Sequence, residues 1–370
     1  MVYSNITDVE EGEKTDKIFS STAKSFGLIY VLRARALKGV FKMTNRENAL
    51  IALDGGTPES VPCFFSSCQI VPQFFFEMPP GTEPGLDGFG VHQTPTENTG
   101  GMFTPTPTVK PVLEDVTMWK DVVHIPDCSK VDFEKVFDGL KGQLHLDQEN
   151  FVLDFFSPNG LFERLHFLMG FENAMYALME EPEACSDLAG AIADYKIEIV
   201  HATAKYLKPD YFTFLDDYTH VSGRFISDET FNEVFRPHYQ RVIDEVRNSG
   251  MKFKTHCCGK VETFIDNFLD MGVTAFDPVQ CVNDIQAIKK KGKIGIMGGL
   301  DIQGVVDIDG VSEEELRAEV HRCIDEYAEG GAYLMYGASV HMYNPAAYGP
   351  DGVIGIINDE CAKYGYRYYA

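Results

Sequence analysis

Lys252-Phe253-Lys254-Thr255-His256-Cys257-Cys258-Gly259 is the stretch from which the fold of this chain is read. A short β-rich segment ends there in side chains that bind soft metals, and a helical pattern from Lys260 to Asp270 follows at once. In a strand, residues i and i+2 share a face. His256 and Cys258 are therefore expected to face the barrel axis together, with Cys257 turned away. Gly259 breaks the strand and lets the backbone turn into the next helix.

The same unit repeats on either side. Candidate strands are Val61–Phe65, Phe151–Phe156, Tyr211–Leu215, Lys252–His256, Thr274–Phe276, Ile294–Met297 and Ala332–Tyr336, with one further segment before residue 150 to complete eight. Helices read between them from Asp228 to Arg247, begun by a Ser227/Asp228 cap, and from Glu313 to Ala328 behind the cap residue Ser312. Glycines 250, 272 and 330 follow three helices, as left-handed stops do. Strands alternating with amphipathic helices indicate parallel strands with helical crossovers, and a chain of 370 residues, 44% apolar, suits one large core. The expectation is a single (β/α)8 TIM barrel over residues 43–370, preceded by a charged extension, residues 1–42. Asn45-Arg46-Glu47 opens a helix of structural character. Met78 to Lys110, rich in Pro, Gly and Thr and without a period, reads as a long insertion over one end of the barrel.

A net charge of −24 without a Lys/Arg cluster argues against nucleic acid as a partner. No apolar run is long enough for a membrane span, the N-terminus lacks an apolar signal stretch, and nine cysteines with one adjacent pair fit reduced thiols. A cytoplasmic protein is expected.

His256 and Cys258 at the C-terminal end of a barrel strand stand where such barrels carry their active sites. The bland alternative is a buried histidine beside inert thiols. Against it, Cys281 ends the next strand and His341 lies just past the last one, so four N/S ligands could converge on zinc. Cys281 could instead be a core thiol and His341 a surface-loop histidine. Asp216 and Asp217 follow the apolar strand Tyr211–Leu215; because adjacent residues diverge, one is expected to point inward and the other to cap a loop. Either is a candidate catalytic acid, a partner for a zinc-bound histidine or a solvated turn residue. Aromatic residues are dense at other strand ends. Most of these pack the core, while Phe64, Phe89, Phe156 and Tyr218 are the candidate substrate contacts, suited to an aryl ligand.

Several segments together resemble the uroporphyrinogen decarboxylase superfamily, and within it the corrinoid-linked methyltransferases. They are Met43-Thr44-Asn45-Arg46-Glu47, Pro58-Glu59-Ser60-Val61-Pro62, Asp87-Gly88-Phe89-Gly90-Val91, Asp216-Asp217-Tyr218 leading to Phe225-Ile226-Ser227, His256-Cys257-Cys258-Gly259, Asp277-Pro278-Val279-Gln280 and Gly298-Gly299-Leu300-Asp301-Ile302-Gln303. The resemblance places a zinc-binding His-x-Cys pair on His256 and Cys258. A carboxylate that related enzymes use on the next strand would fall near Cys281, and their distal cysteine has no counterpart near Ala338–His341. The decarboxylases' carboxylate-binding arginine motif would fall on Phe64-Phe65-Ser66-Ser67-Cys68-Gln69, which holds no arginine.

The resemblance implies a zinc-dependent methyltransferase that passes a methyl group from a small donor, foremost an aryl methyl ether, to the cobalt of a separate corrinoid protein. Methyl transfer from a methylcorrinoid to a thiol is the second enzymatic expectation. A non-catalytic zinc barrel that only docks a corrinoid protein is the third.

Overall fold

The computed structural model describes residues 43–96 and 102–370, so the extension 1–42 lies outside the described residues. Seven parallel strands form one curled sheet in chain order. They are β1 (Cys68–Pro72), β2 (Val152–Ser157), β3 (Tyr211–Leu215), β4 (Lys252–His256), β5 (Ala275–Val279), β6 (Gly295–Gly299) and β7 (Tyr333–Tyr336). Every partnership between them is parallel. The sheet curls round until its last strand meets the segment before its first, where Cys63 bridges Met335 in parallel and the Met335 N–H donates to the Pro62 carbonyl at 2.9 Å. The fold is a TIM-type barrel.

The first strand departs from expectation. Val61–Phe65 contributes only the Cys63 bridge, because the chain winds into a helical turn at Phe64–Ser67 before extending as β1. A short apolar run fits a buried strand and a buried helical turn equally well, so periodicity does not separate them. The segment missing from the count before residue 150 is β1 itself.

Helices cover the outside of the sheet: α1 (Asn45–Leu53), α2 (Phe133–Leu144), α3 (Leu161–Met169), α4 (Phe171–Glu180), α5 (Pro182–Tyr206), α6 (Arg236–Asn248), α7 (Ile265–Met271), α8 (Ile285–Lys291), α9 (Glu313–Tyr327) and α10 (Val353–Tyr364). In α9, Ser312 and Glu315 form a reciprocal capping box, and Leu316, Val320, Cys323, Ile324 and Tyr327 fall on one buried stripe. Thr44 and Glu47 cap α1 in the same way. Gly250, Gly272 and Gly330 all have the positive φ expected of helix stops.

The insertion after Met78 is more ordered than its composition suggests. It carries a three-stranded antiparallel sheet built from Gly85–Leu86, His92–Pro95 and Phe103–Pro105. No helix among the described residues is long and apolar enough to cross a membrane.

One consequence of packing is a pH dependence. His166 on α3 lies among the rings of Phe162, Phe167 and Phe171. Burial, reinforced by the Arg164 guanidinium, lowers its imidazole from 6.5 to about 4. The unfolded chain takes up a proton as pH falls through 6.5, whereas the folded chain does so only near 4, so this contribution is complete above 6.5 and is lost as pH falls towards 4. Urea melts across that window should lose stability more steeply for wild type than for His166→Gln; equal slopes would mean that this imidazole is already charged in the folded state.

Candidate metal centre

Alternation along β4 turns Lys254 and His256 to the same side, and register sets Asp277 of β5 directly opposite His256. The His256 Nδ1–H donates to the Asp277 carboxylate. Burial works against that carboxylate, but Lys254 and His256 outweigh it and hold Asp277 below the usual range. Lys254 is itself buried between Asp277 and Asp154, with Asp154 at 2.6 Å. Thr213 donates to the other Asp154 oxygen at 2.5 Å. Asp154, Lys254 and Asp277 form a charged layer behind His256. Its effect on the site is to fix the His256 ring and its tautomer, leaving the Nε2 lone pair outermost.

Nε2 of His256 lies 3.6 Å from the Sγ of Cys258. A tetrahedral zinc with N and S bonds of about 2.0 and 2.3 Å holds such atoms about 3.5 Å apart. Asp217 completes the group: one ligand atom from each of Asp217, His256 and Cys258 lies within 4.8 Å of the other two. Asp217 is anchored where Leu215, two residues before it, registers with His256, and its Oδ1 accepts the Cys258 N–H at 2.6 Å. Gly259 makes the turn after the ligands possible. Its φ is +88°, and a Cβ there would meet the His220 backbone at 2.7 Å.

The donor set fits zinc. One imidazole, one thiol and one carboxylate converge at the C-terminal end of adjacent strands, and three protein ligands leave a position for a reacting group, as in catalytic zinc sites. Burial and the Asp217 carboxyl push the Cys258 thiol well up. A dication at the common focus reverses that balance, because a coordinating thiol is deprotonated outright.

Asp216 diverges from Asp217 as adjacent residues must, and its carboxylate caps α3. It accepts the backbone N–H groups of Phe162 at 3.1 Å and Glu163 at 2.8 Å, and the Tyr218 hydroxyl at 2.5 Å. Gly160 lets it approach, since a Cβ there would lie 2.4 Å from the Asp216 carboxyl carbon. Burial raises Asp216 to about 6 against the pull of those donors. With its oxygens occupied in this way, the structure gives it a helix-capping place rather than the catalytic one considered from sequence.

Cys281 and His341 are not brought to the cluster. Cys281 lies beyond the end of β5, where strand alternation no longer directs it, and its thiol donates to the Gly299 carbonyl at 3.2 Å beside Arg322. His341 sits in a 3-10 turn with its Nε2 3.8 Å from Asp307. The four-residue set expected from sequence is therefore not assembled, and the group that could hold a metal ion is Asp217, His256 and Cys258.

Of the aromatic candidates, Phe156 alone stands against the cluster, half-buried, its ring edge-on to His256 at 5.4 Å. Phe64 is core, packed on Tyr336 at 4.6 Å. Phe89 lies buried under the Arg164 guanidinium at 4.1 Å. Tyr218 is buried and stacked on Phe264 at 5.4 Å. Their rings are needed to fill the spaces behind the strand ends, which is why they do not reach the opening.

Sequence reasoning missed Asp154, Lys254 and Asp277 as members of the site. Asp277 lies within the Asp277-Pro278-Val279-Gln280 segment, and the signal for it is its register opposite His256. Also missed was the network that fastens the insertion to the barrel. Arg164 of α3 pairs with Glu77 at 2.5 Å and Asp87 at 2.6 Å, and Lys196 of α5 pairs with Glu77 at 2.8 Å, all fully buried. Asp87 also accepts the N–H groups of Phe89 and Val91, each at 2.9 Å.

The support behind His256 yields a prediction. Asp277→Asn should weaken metal affinity about 10- to 100-fold, the usual cost of losing a carboxylate behind a ligating histidine. Lys254 retains Asp154 in that variant, so the fold should persist. Competition with a chromogenic chelator reads the affinity directly, and an unchanged value would remove Asp277 from the site.

Fold and cluster together define a TIM-type barrel with a three-donor site at the C-terminal ends of its strands. The family model for uroporphyrinogen decarboxylase (URO-D) matches residues 100–345, more than half of the chain, and the chain belongs to that family. Among solved structures, a methyltransferase from Methanosarcina mazei matches with a TM-score of 0.59 at 13% identity, covering 89% of this chain and 100% of that one. At that identity the likeness shows the fold alone. An L-ribulose 3-epimerase matches at a TM-score of 0.38, with 9% identity over 66% of this chain and 86% of that one. No curated protein matches.

Proposed function

We propose that this protein is a zinc-dependent methyltransferase that moves a methyl group from an aryl methyl ether to the cobalt of a separate corrinoid protein. The observation that carries the proposal is the 3.6 Å spacing of His256 Nε2 and Cys258 Sγ beside Asp217, which matches neighbouring vertices of a zinc tetrahedron. The likeness in fold to a methyltransferase supports it.

Bound there, zinc supplies Lewis acidity to the heteroatom that leaves the methyl group. The chain's own residues do the rest. Asp217, His256 and Cys258 would hold it. Asp277 and Lys254 keep the His256 ring oriented, so little reorganisation is needed when charge develops on the departing oxygen. Phe156, edge-on to His256, offers an apolar wall on which an aryl ring can rest.

Decarboxylation of a polycarboxylate tetrapyrrole is the poorer reading within this family. Phe64, Phe65, Ser67, Cys68 and Gln69 are buried and uncharged where that substrate's cationic partner would stand. The buried cations are already paired, Arg164 and Lys196 with Glu77 and Asp87, and Lys254 with Asp154 and Asp277.

The test mixes zinc-loaded protein with the corrinoid protein in its Co(I) state and an aryl methyl ether, and follows the cobalt absorbance. Conversion to the methyl-Co(III) spectrum is expected. A Co(I) spectrum that no aryl methyl ether alters would rule out this substrate class.

A further inference from the structure

Cys258 offers its thiol from a turn rather than from a strand. β4 ends at His256, and its ladder with β5 runs out at Cys257, whose N–H donates to the Asp277 carbonyl at 2.8 Å. Side chains take over from there. Asp217 accepts the Cys258 N–H at 2.6 Å, and the Thr219 hydroxyl donates to the Cys258 carbonyl at 2.5 Å.

The peptide groups that follow are held by the loop after β5. Gln280 Oε1 accepts the N–H of the buried Gly259 at 2.7 Å, and Asn283 Nδ2 donates to the Gly259 carbonyl at 2.9 Å. Asn283 is itself buried; it accepts the Glu262 N–H at 3.0 Å and donates to the Gln280 carbonyl at 3.0 Å. Glu262 returns the contact by accepting the Asp284 N–H at 2.6 Å, and the Cys281 thiol ties the same loop to the Gly299 carbonyl of β6 at 3.2 Å. At φ +88°, Gly259 is the residue of this turn with the widest choice of conformations. Once its hydrogen bonds are lost, the Cys258–Gly259 peptide is free to rotate and to carry the thiol with it.

Resting on the proposed metal site, we infer that Gln280 and Asn283 are positioning residues, which hold the Cys258 thiol on the metal by fixing Gly259 on both sides. The end of β5 then serves two donors, because Asp277 orients the His256 imidazole and Gln280, three residues on, orients the Cys258 thiol. Neither Gln280 nor Asn283 is a ligand itself.

The test compares wild type with Gln280→Leu, Gln280→Glu and Asn283→Asp. Zinc affinity is read by chelator competition, the thiolate-to-cobalt charge-transfer band by titration with cobalt(II), and the melting temperature on the metal-free proteins. Gln280→Leu should bind zinc about tenfold more weakly, the lower end of what outer partners of a metal ligand contribute, and its charge-transfer band should weaken. Gln280→Glu keeps an acceptor for the Gly259 N–H and should restore both. Asn283→Asp keeps the acceptor for Glu262 but cannot donate to Gly259, so it should resemble Gln280→Leu. Zinc affinity and band at wild-type values in Gln280→Leu, with only the melting temperature lowered, would assign Gln280 to the fold and overturn the inference. So would a Gln280→Glu protein no better than Gln280→Leu. Wild type that binds neither metal, or binds cobalt without a thiolate band, would overturn the inference together with the metal site on which it rests.

Discussion

His256→Ala is expected to lower methyl transfer by about a thousandfold or more, because Lewis-acid stabilisation of a leaving oxygen contributes several kcal/mol. The substitution removes one of three donors, and it also leaves the Asp277 carboxylate facing a gap, so the other two lose their organising centre. Cys258→Ala should behave alike, and the double variant should be little worse than either single one, since the ligands act as a unit. Retained turnover in His256→Ala would separate the chemistry from the metal. If wild type shows no turnover and His256→Ala still binds the corrinoid protein, the barrel is a docking module rather than an enzyme.

Arg164→Met is expected to produce the largest loss of stability in the molecule. Arg164, Glu77, Asp87 and Lys196 are buried together with balanced charge. Removing the guanidinium leaves two carboxylates facing one ammonium, and breaking a buried pair in this way typically costs about 3–5 kcal/mol. The insertion should loosen first, since Asp87, the N–H groups it accepts and the Phe89 ring are all gathered around Arg164. Urea unfolding reads the total, and hydrogen exchange over residues 85–95 reads the local effect. A change of less than about 1 kcal/mol would mean that the network is solvated or readily replaced.

The core of this architecture was legible in sequence because burial on both faces and strong helix signals repeat from β2 onward. Ser312, Thr44 and the stop glycines marked their helices by side-chain chemistry that acts within one turn of the chain. That His256 and Cys258 share a face was legible from strand period two with a Gly after them, and that Asp216 and Asp217 diverge was legible from their adjacency; that Asp217 joins His256 and Cys258 was not. What remained hidden depended on distance. Whether Cys281 turns inward is decided by the Gly299 carbonyl and Arg322, which belong to a later strand and helix. Asp277 acquires its place from register with β4. Phe64, Phe89 and Tyr218 could not be told from pocket residues, because a strand-end aromatic has the same local pattern whether it faces the opening or the packing behind it.

The proposed function stands on a metal held by Asp217, His256 and Cys258 with one position left open. Elemental analysis and zinc X-ray absorption of the purified protein, prepared without chelator, test it most directly. About one zinc per chain is expected, with a single sulfur near 2.3 Å and lighter N/O neighbours near 2.0–2.1 Å, all lost in Cys258→Ala. A metal-free protein, or a zinc surrounded by two or more sulfurs that survives Cys258→Ala, would contradict it.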